Sequence, residues 1–172
     1  LPSRVKVKSY YQVDGRPLGE KKLWLQDDYV KFFRLAQWRI ESCGVGVLGY
    51  ITNHGYLDNP TFRGMRQCLM STFGAIDVVD LHGNSKKKEK TPDGHKDVNV
   101  FDIEQGVAIA IMRSGLSVES PRFGELWGPR IAKYEALMSA AVTMSRIEPL
   151  SPYYFLTSKN NEWRAEFNAA WP

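Results

Sequence analysis

Residues 75–112 read AIDVVDLHGNSKKKEKTPDGHKDVNVFDIEQGVAIAIM, and this stretch decides the fold that the sequence predicts. Its two ends, 75–81 and 106–112, are apolar runs of strand length. The residues between them show no helical pattern and form a long polar loop. Because two strands that are joined without a helix pair antiparallel, we expect 75–81 and 106–112 to form a long-looped antiparallel hairpin at an edge of the sheet.

The preceding residues predict an α/β layer. A helix is expected over 27–43, with Val30, Phe33, Gln37 and Ile40 on its inner face. Residues 46–51 form a near-continuous apolar run, typical of a strand covered on both faces. Asn59 and Pro60 then predict the start of a second helix, which has an inward stripe of Phe62, Met65, Leu69 and Phe73, with Arg63 and Arg66 on the opposite side. The fold class is therefore α/β, with a mixed sheet, helices on its faces and an antiparallel edge hairpin.

A linker-like break at 115–124 divides the chain into two parts, 1–114 and 115–172. In the second part, Pro129 predicts the start of a third helix that runs to about Val142. The residues expected to point inward from it are Ile131, Tyr134, Met138 and Val142. A short aromatic strand is predicted over 151–156, and a last helix is expected to use Trp163, Phe167 and Trp171.

Composition limits the class of protein only loosely. The net charge of +4 allows an anionic partner without requiring one, because a solvated basic surface gives the same value. Cys43 and Cys68 are in no metal-ligand or C-x-x-C pattern, so we expect both to be reduced and buried in a cytoplasmic protein. No apolar run approaches the roughly 20 residues of a membrane-spanning helix, so no membrane partner is expected.

Most enzyme signatures are missing from the sequence. It holds no glycine-rich phosphate loop of either common type and no nucleophile elbow. The three histidines, His54, His82 and His95, show no metal-ligand spacing, so no metal site is predicted. The tetrapeptide 59–62, Asn-Pro-Thr-Phe, nearly matches the Asn-Pro-Pro-Tyr/Phe motif of amino-methylating enzymes, but a helix start already explains it.

The stretch 86–96, called here the lysine loop, holds the densest positive charge. Its lysines are Lys86, Lys87, Lys88, Lys90 and Lys96. One interpretation is a solvated, mobile loop, and the other is a loop that contacts the phosphates of a nucleic acid. Phe101 follows at the mouth of the next strand, where its ring either plugs the sheet edge or offers a flat surface to an unstacked base.

Several motifs together resemble a known family. They are 49–66 (GYITNHGYLDNPTFRGMR), 80–90 (DLHGNSKKKEK) and 99–109 (NVFDIEQGVAI), with 24–32 (WLQDDYVKF) and 151–155 (SPYYF) in support. They resemble the adenine-specific (N6) DNA methyltransferase module of type ISP-like single-chain restriction-modification enzymes. The resemblance covers nearly the whole chain.

This resemblance implies the second half of a class I methyltransferase fold, which uses S-adenosylmethionine to methylate the exocyclic amine of a flipped adenine. Residues 1–114 would be the C-terminal half of the catalytic domain, and 115–172 a connector toward a target-recognition region. The family's cofactor-binding glycine loop and its Asn-Pro-Pro-Tyr tetrapeptide lie N-terminal to the stretch that resembles 24–32. We therefore expect no cofactor-binding residue in this chain, no methylation by the chain alone, and two partners: double-stranded DNA and the missing N-terminal half.

The resemblance also implies roles for particular residues. Phe101 matches the aromatic residue that stacks on the flipped base. The lysine loop is expected to contact the DNA backbone, as are Asn53 and His54, which follow a strand whose end borders the active cleft. Two alternatives remain: a non-enzymatic DNA-binding or coupling module within a larger helicase or nuclease protein and, less favoured because the phosphate loop is missing, a small-molecule α/β enzyme.

Overall fold

The computed structural model describes residues 7–19 and 23–158, and the predicted last helix lies outside them. The strands are β1 (Gln12–Val13), β2 (Arg16–Pro17), β3 (Val47–Asn53), β4 (Ala75–Asp80), β5 (Val107–Arg113), β6 (Arg122–Glu125) and β7 (Ser145–Arg146). The α-helices are α1 (Asp28–Cys43), α2 (Arg63–Thr72) and α3 (Arg130–Met138). Short 3-10 helices span Val7–Tyr11, Leu23–Gln26, His54–Leu57 and Pro60–Phe62.

Five strands form one mixed sheet in the order β3-β5-β4-β6-β7, and β1 and β2 form a separate small hairpin. β5 pairs antiparallel with β3, from Val47 opposite Arg113 to Asn53 opposite Val107. It also pairs antiparallel with β4, which in turn pairs parallel with β6. β3, β4 and β6 therefore point the same way, and their carboxyl ends lie at one edge of the sheet.

The antiparallel pairing of the two strands within 75–112 is confirmed, but their predicted place at the sheet edge is wrong. β5 lies between β3 and β4, in the interior of the sheet. Its alanines, Ala108 and Ala110, are almost fully buried, and an apolar strand of this kind is best covered when it has a neighbour on each side. β3 is instead one of the two edge strands. Its Val47 and Ile51 are 69% and 50% exposed, so the expected cover of β3 on both faces is also wrong.

The main core lies between one face of the sheet and the helices α1 and α2. The predicted inward stripe of the second helix is confirmed, since Phe62, Met65, Leu69 and Phe73 are all buried. Asn59 begins this segment as expected, because its side-chain oxygen accepts a hydrogen bond from the Thr61 N–H at 3.0 Å. α1 ends where predicted, at Gly44, whose φ of 82° suits the left-handed cap that glycine adopts without strain.

Two long basic side chains are buried where the sequence predicted otherwise. Arg66 was expected to point away from the core but is fully buried, and it donates hydrogen bonds to the backbone carbonyls of Tyr56, Asn59 and Tyr153. On α3 the inward residue is Lys133, whereas Ile131 is 67% exposed. In both cases backbone carbonyls supply the hydrogen bonds that a buried cation needs.

Two smaller expectations also differ from the structure. Residues 151–156 form a turn followed by irregular chain rather than a strand. Cys43 is exposed, although Cys68 is partly buried. Residues beyond 114 contribute β6 and β7 to the same sheet and Leu156 to the main core, and the boundary at 114/115 stays a prediction. No α-helix within 7–19 and 23–158 is long and apolar enough to cross a membrane.

A candidate functional site at the carboxyl edge of the sheet

Polar side chains converge where the three parallel strands end. His54 directly follows β3, Asp80 closes β4 and precedes His82 by two residues, and Glu125 closes β6. They line a cavity of about 240 Å³, to which Trp127 also contributes. Ligands of open α/β sheets bind outside the carboxyl ends of the strands, so this cavity has the position of a functional site.

His54 is held in one orientation by its neighbours. Its Nδ1 lies 3.0 Å from Oδ1 of Asp80, and both residues are buried. On the other side Gly106 leaves room for the ring, because a Cβ there would lie 2.3 Å from the Cε1 atom of His54. Burial lowers the pKa of His54, but the hydrogen bond and negative charge of Asp80 raise it more, so the net pKa lies above its ordinary value.

His82 is fixed by backbone, charge and ring contacts. Its backbone N–H donates to Oδ1 of Asp80 at 2.9 Å, and its Nε2 lies 3.2 Å from Oε2 of Glu125. The imidazole stacks on the indole of Trp127 with 3.3 Å between ring centroids and 15° between ring planes. Asp80 therefore links the two histidines, since its carboxylate contacts the ring of His54 and the backbone of His82.

Three buried polar atoms around the cavity have no hydrogen-bond partner within the described part of the chain. They are Nε2 of His54, Nε1 of Trp127 and Oγ1 of Thr157. All three residues line the cavity. Because buried polar groups are almost always hydrogen-bonded, such a concentration in one place indicates a site for water or for a polar ligand.

The lysine loop is anchored at its C-terminal end by a buried ion pair. The Nζ atom of Lys133, on α3, lies 2.9 Å from the carboxylate of Asp97, and both side chains are fully buried. The same ammonium donates to the carbonyls of Leu81 at 2.7 Å and Val98 at 2.8 Å. All three donors of the lysine are thus used, and the chain that follows the loop is fixed to the end of β4.

The lysines of the loop are all exposed. Lys86 forms a surface ion pair with Glu104 at 2.9 Å, and Lys90 and Lys96 face each other in an isolated β-bridge. Lys87 also lines the cavity. The loop therefore presents most of its charge to solvent and one lysine to the site.

Phe101 has an exposed ring on a fixed backbone. The ring is 44% exposed and belongs to neither core cluster. Its N–H donates to Oδ1 of Asn99 at 2.9 Å, and the Asn99 amide donates to the carbonyls of Gly83 and Gln105. The hydroxyl of Tyr134 donates to the carbonyl of Val100 at 2.6 Å. A plug at the sheet edge would be covered, so the exposed ring favours the alternative of a surface that another molecule contacts.

Asn53, whose contact with DNA stays a prediction, has a local structural role. Its Oδ1 accepts the Gly55 N–H at 2.7 Å and caps the 3-10 helix His54–Leu57. The sequence patterns did not predict four other residues of this site, which are Asp80, His82, Glu125 and Trp127. A signal was available, because His54 and His82 come shortly after the strands predicted over 46–51 and 75–81.

The described fold is a mixed α/β layer, and it is shared with solved structures of proteins in complex with DNA or a DNA mimic. One is the ATP-dependent Type ISP restriction-modification enzyme LlaBIII bound to DNA, which matches 92% of this chain at 24% sequence identity and a TM-score of 0.72. The second is a DrdV–DNA complex, with 84% coverage, 22% identity and a TM-score of 0.69. The third is a nuclease-deletion mutant of the Type ISP enzyme LlaGI in complex with a DNA substrate mimic, with 92% coverage, 17% identity and a TM-score of 0.73.

The chain spans only a small part of these proteins: 11%, 14% and 13% of their lengths, in the same order. Its sequence matches no protein-family model and none of the curated proteins. At these identities the comparisons establish a common fold.

Proposed function

We propose that this chain is the second half of a DNA adenine-N6 methyltransferase module in a restriction-modification system. In this proposal it forms the DNA-facing and flipped-base side of the active site and is inactive alone. The proposal joins the sequence resemblance to the fold shared with LlaBIII, DrdV and LlaGI, each solved in complex with DNA or a DNA mimic.

The observation that carries the proposal is the exposed ring of Phe101 on a fixed backbone. Its segment is tied to Gly83 through Asn99, and it leads into Gly106, which packs against the ring of His54. An enzyme that acts on a base inside a duplex must hold the extruded base by stacking, and a ring on a fixed backbone does this without first being ordered. The exposed lysines supply the positive charge that positions the phosphate backbone.

An uncovered part of the sheet supports the proposal of a missing N-terminal half. β3 is an edge strand whose Val47 and Ile51 are exposed, and Ile111 of β5 is exposed on the same face. Between α1 and β3 lies an open apolar groove of about 550 Å³, which is lined by Phe32, Leu35, Ala36, Arg39, Leu48 and Tyr50. Further strands from the missing half would pair with this edge, and other elements of that half would cover these apolar side chains.

The two cavities beside the sheet offer little support for binding S-adenosylmethionine, the cofactor implied by the resemblance. The cavity at the carboxyl edge, about 240 Å³, is smaller than the roughly 300–1,000 Å³ of ordinary cofactor pockets. The larger groove beside β3 is apolar and lacks a carboxylate for the ribose hydroxyls. We therefore propose that the missing half binds the cofactor.

The test of the proposal is Phe101→Ala in the longer enzyme, with Ile103→Ala as the matched control. Ile103 lies in the same segment and is 49% exposed. Base–aromatic stacking is worth about 1–3 kcal/mol, so Phe101→Ala should lower kcat/KM for methylation of double-stranded DNA by about tenfold or more. The melting temperature should change little because the ring is not part of the core, and Ile103→Ala should retain normal methylation.

Two results would contradict the assignment of Phe101. Normal methylation by Phe101→Ala would remove its role in base stacking. A large fall in melting temperature with normal activity per folded molecule would assign the ring to structural packing. Methylation of DNA by the 172-residue chain on its own would contradict the proposal that the catalytic tetrapeptide and cofactor site lie elsewhere.

A second candidate function is a non-enzymatic DNA-binding or coupling module within a larger helicase or nuclease protein. The specific observation in its favour is that all five lysines of the lysine loop are exposed, which suits a phosphate clamp without any chemistry. It predicts that Phe101→Ala leaves methylation unchanged while substitutions of the lysines weaken DNA binding.

A further inference from the structure

His54 and His82 form, with Glu89, a group that the mechanism proposed above does not use. The coordinating atoms of the three side chains all lie within 4.8 Å of one another. Each comes from a different segment: His54 from the start of a 3-10 helix after β3, His82 from the end of β4, and Glu89 from the lysine loop. Side chains so far apart in sequence meet here because parallel strands end at one edge.

His54 is oriented as a metal ligand. A metal-binding histidine almost always donates its other ring N–H to a carboxylate, which fixes the tautomer and directs the remaining nitrogen at the metal. Nδ1 of His54 lies 3.0 Å from Asp80, which leaves the lone pair of Nε2 available. That Nε2 atom is buried without a hydrogen-bond partner in the described part of the chain, and the residue is only 7% exposed.

The other two side chains are held but not saturated. Glu89 accepts the Asn84 N–H through Oε2 at 2.7 Å, which leaves Oε1 for a ligand bond. The ring of His82 stacks on Trp127. Its Nε2 lies 3.2 Å from Glu125, and its Nδ1 lies 3.6 Å from Asp80, which is longer than a hydrogen bond. The carboxylates that surround both histidines add negative charge, which attracts a cation as effectively as it attracts a proton.

We propose that His54, His82 and Glu89 form a binding site for a divalent transition-metal ion of the zinc type. Two imidazoles and one carboxylate are a donor set that Zn²⁺ uses, and such three-ligand sites keep a coordination position for water or substrate. Asp80 and Glu125 are the outer carboxylates that orient the two imidazoles. The adjoining cavity of about 240 Å³ has room for water at the remaining position.

Metal binding draws the three ligands closer together. Bonds of about 2.0–2.1 Å in a tetrahedral site place ligand atoms roughly 3.4 Å apart, less than the present limit of 4.8 Å. Glu89 accommodates this most easily, because it lies in the lysine loop and has the longest side chain. The metal therefore pins the lysine loop to the sheet edge beside the histidines, so it orders the loop as well as filling the site.

The test uses the 172-residue chain, freed of metal by a chelator and titrated with Zn²⁺ against a chromophoric competitor. We expect one ion per chain and a rise in melting temperature on zinc addition. Glu89→Gln, His54→Gln and His82→Gln should each weaken binding by at least about a hundredfold, since even outer-carboxylate changes such as Asp80→Asn cost about 10–100-fold. The matched control is His95→Gln, because His95 is exposed and lies in the same loop as Glu89.

A second measurement guards against variants that fail to fold. Glu89 lies outside both core clusters, so Glu89→Gln should keep the wild-type melting temperature in the presence of chelator. Co²⁺ bound to the wild-type chain should give the visible absorption of a site with nitrogen and oxygen ligands, and Glu89→Gln should lose it. Failure of the wild-type chain to bind Zn²⁺, or equal affinity in wild type, Glu89→Gln and His95→Gln, would overturn the proposal.

Discussion

The lysine loop and the segment after it are both rich in charge, yet their two ends are held in opposite ways. At the C-terminal end, Asp97 and Lys133 form an ion pair with no exposed side-chain surface. Near the N-terminal end, Lys86 and Glu104 form a pair of similar length in which the side chains are 61% and 64% exposed. Distance is therefore a poor guide to the role of either pair.

What separates the two pairs is their surroundings. The buried pair has backbone carbonyls for the remaining donors of Lys133 and the Gly128 N–H for Asp97. Removal of either partner would leave the charge of the other in a place without water. The exposed pair competes with water and salt, so it contributes little to stability and leaves Lys86 free to exchange its partner for a phosphate. A buried anchor at one end and exposed lysines elsewhere suit the proposed contact of the lysine loop with DNA phosphates.

The largest expected effect is on the buried pair. Lys133→Met should lower the free energy of unfolding by about 3–5 kcal/mol, because it leaves the Asp97 carboxylate buried and unpaired. The matched change Lys86→Met should cost less than about 1 kcal/mol. Urea denaturation followed by circular dichroism measures both values. Equal losses for the two variants would show that the contrast between the two pairs has no energetic basis.

The next effect is on DNA binding by the exposed lysines of the lysine loop. Replacing Lys86, Lys87 and Lys88 by alanine together should weaken binding to double-stranded DNA of any sequence. Each phosphate contact contributes about −0.9 to the slope of log K against log salt concentration, so the slope should become shallower by about 2–3. Fluorescence anisotropy at several salt concentrations measures it.

Lys31→Ala is the control for the lysine substitutions, since Lys31 is a lysine of α1 that pairs with Asp28. It should leave the salt slope unchanged. If the salt slope becomes shallower by the same amount per lysine in Lys31→Ala as in the lysine-loop variant, DNA responds to net charge alone. The lysine loop is then only a solvated surface.

The smallest expected effect is that of Glu104→Gln. This change removes the partner of Lys86 and one negative charge beside the lysine loop, so DNA affinity should rise by a few-fold at low salt. Stability should change by less than about 1 kcal/mol. Anisotropy titrations at two salt concentrations should show the gain disappearing at the higher one. A gain that survives high salt would mean that Glu104 acts through the shape of the loop rather than through its charge.

Local patterns in the sequence predicted the elements whose partners lie nearby. α1, its glycine stop, the Asn59 cap and the antiparallel pairing of β4 with β5 all follow from periodicity and turn chemistry over short stretches. The interior position of β5 did not follow from such patterns. The local sequence of β5 is the same whether the strand lies at the edge of the sheet or between β3 and β4. Only the pairing of β5 with both neighbours decides it.

The errors on α2 and α3 have one physical cause. Arg66 and Lys133 are buried because backbone carbonyls, and for Lys133 also Asp97, happen to meet their charged groups. Those partners are far away in sequence, so an amphipathic pattern predicts both residues to be exposed. The cluster of His54 and His82 was missed for the same reason, since metal-ligand spacing rules apply to ligands near each other in the chain.

The open edge of β3 has a consequence for how such a protein is made. The outer backbone groups of β3 have no strand beside them in the described part of the chain, and the side chains of Val47 and Ile51 on the same strand are exposed. An uncovered apolar edge is a template for strands of any other molecule, so it promotes aggregation until it is covered. In the longer enzyme proposed above, an N-terminal half that is synthesised first would cover this edge as soon as the edge forms.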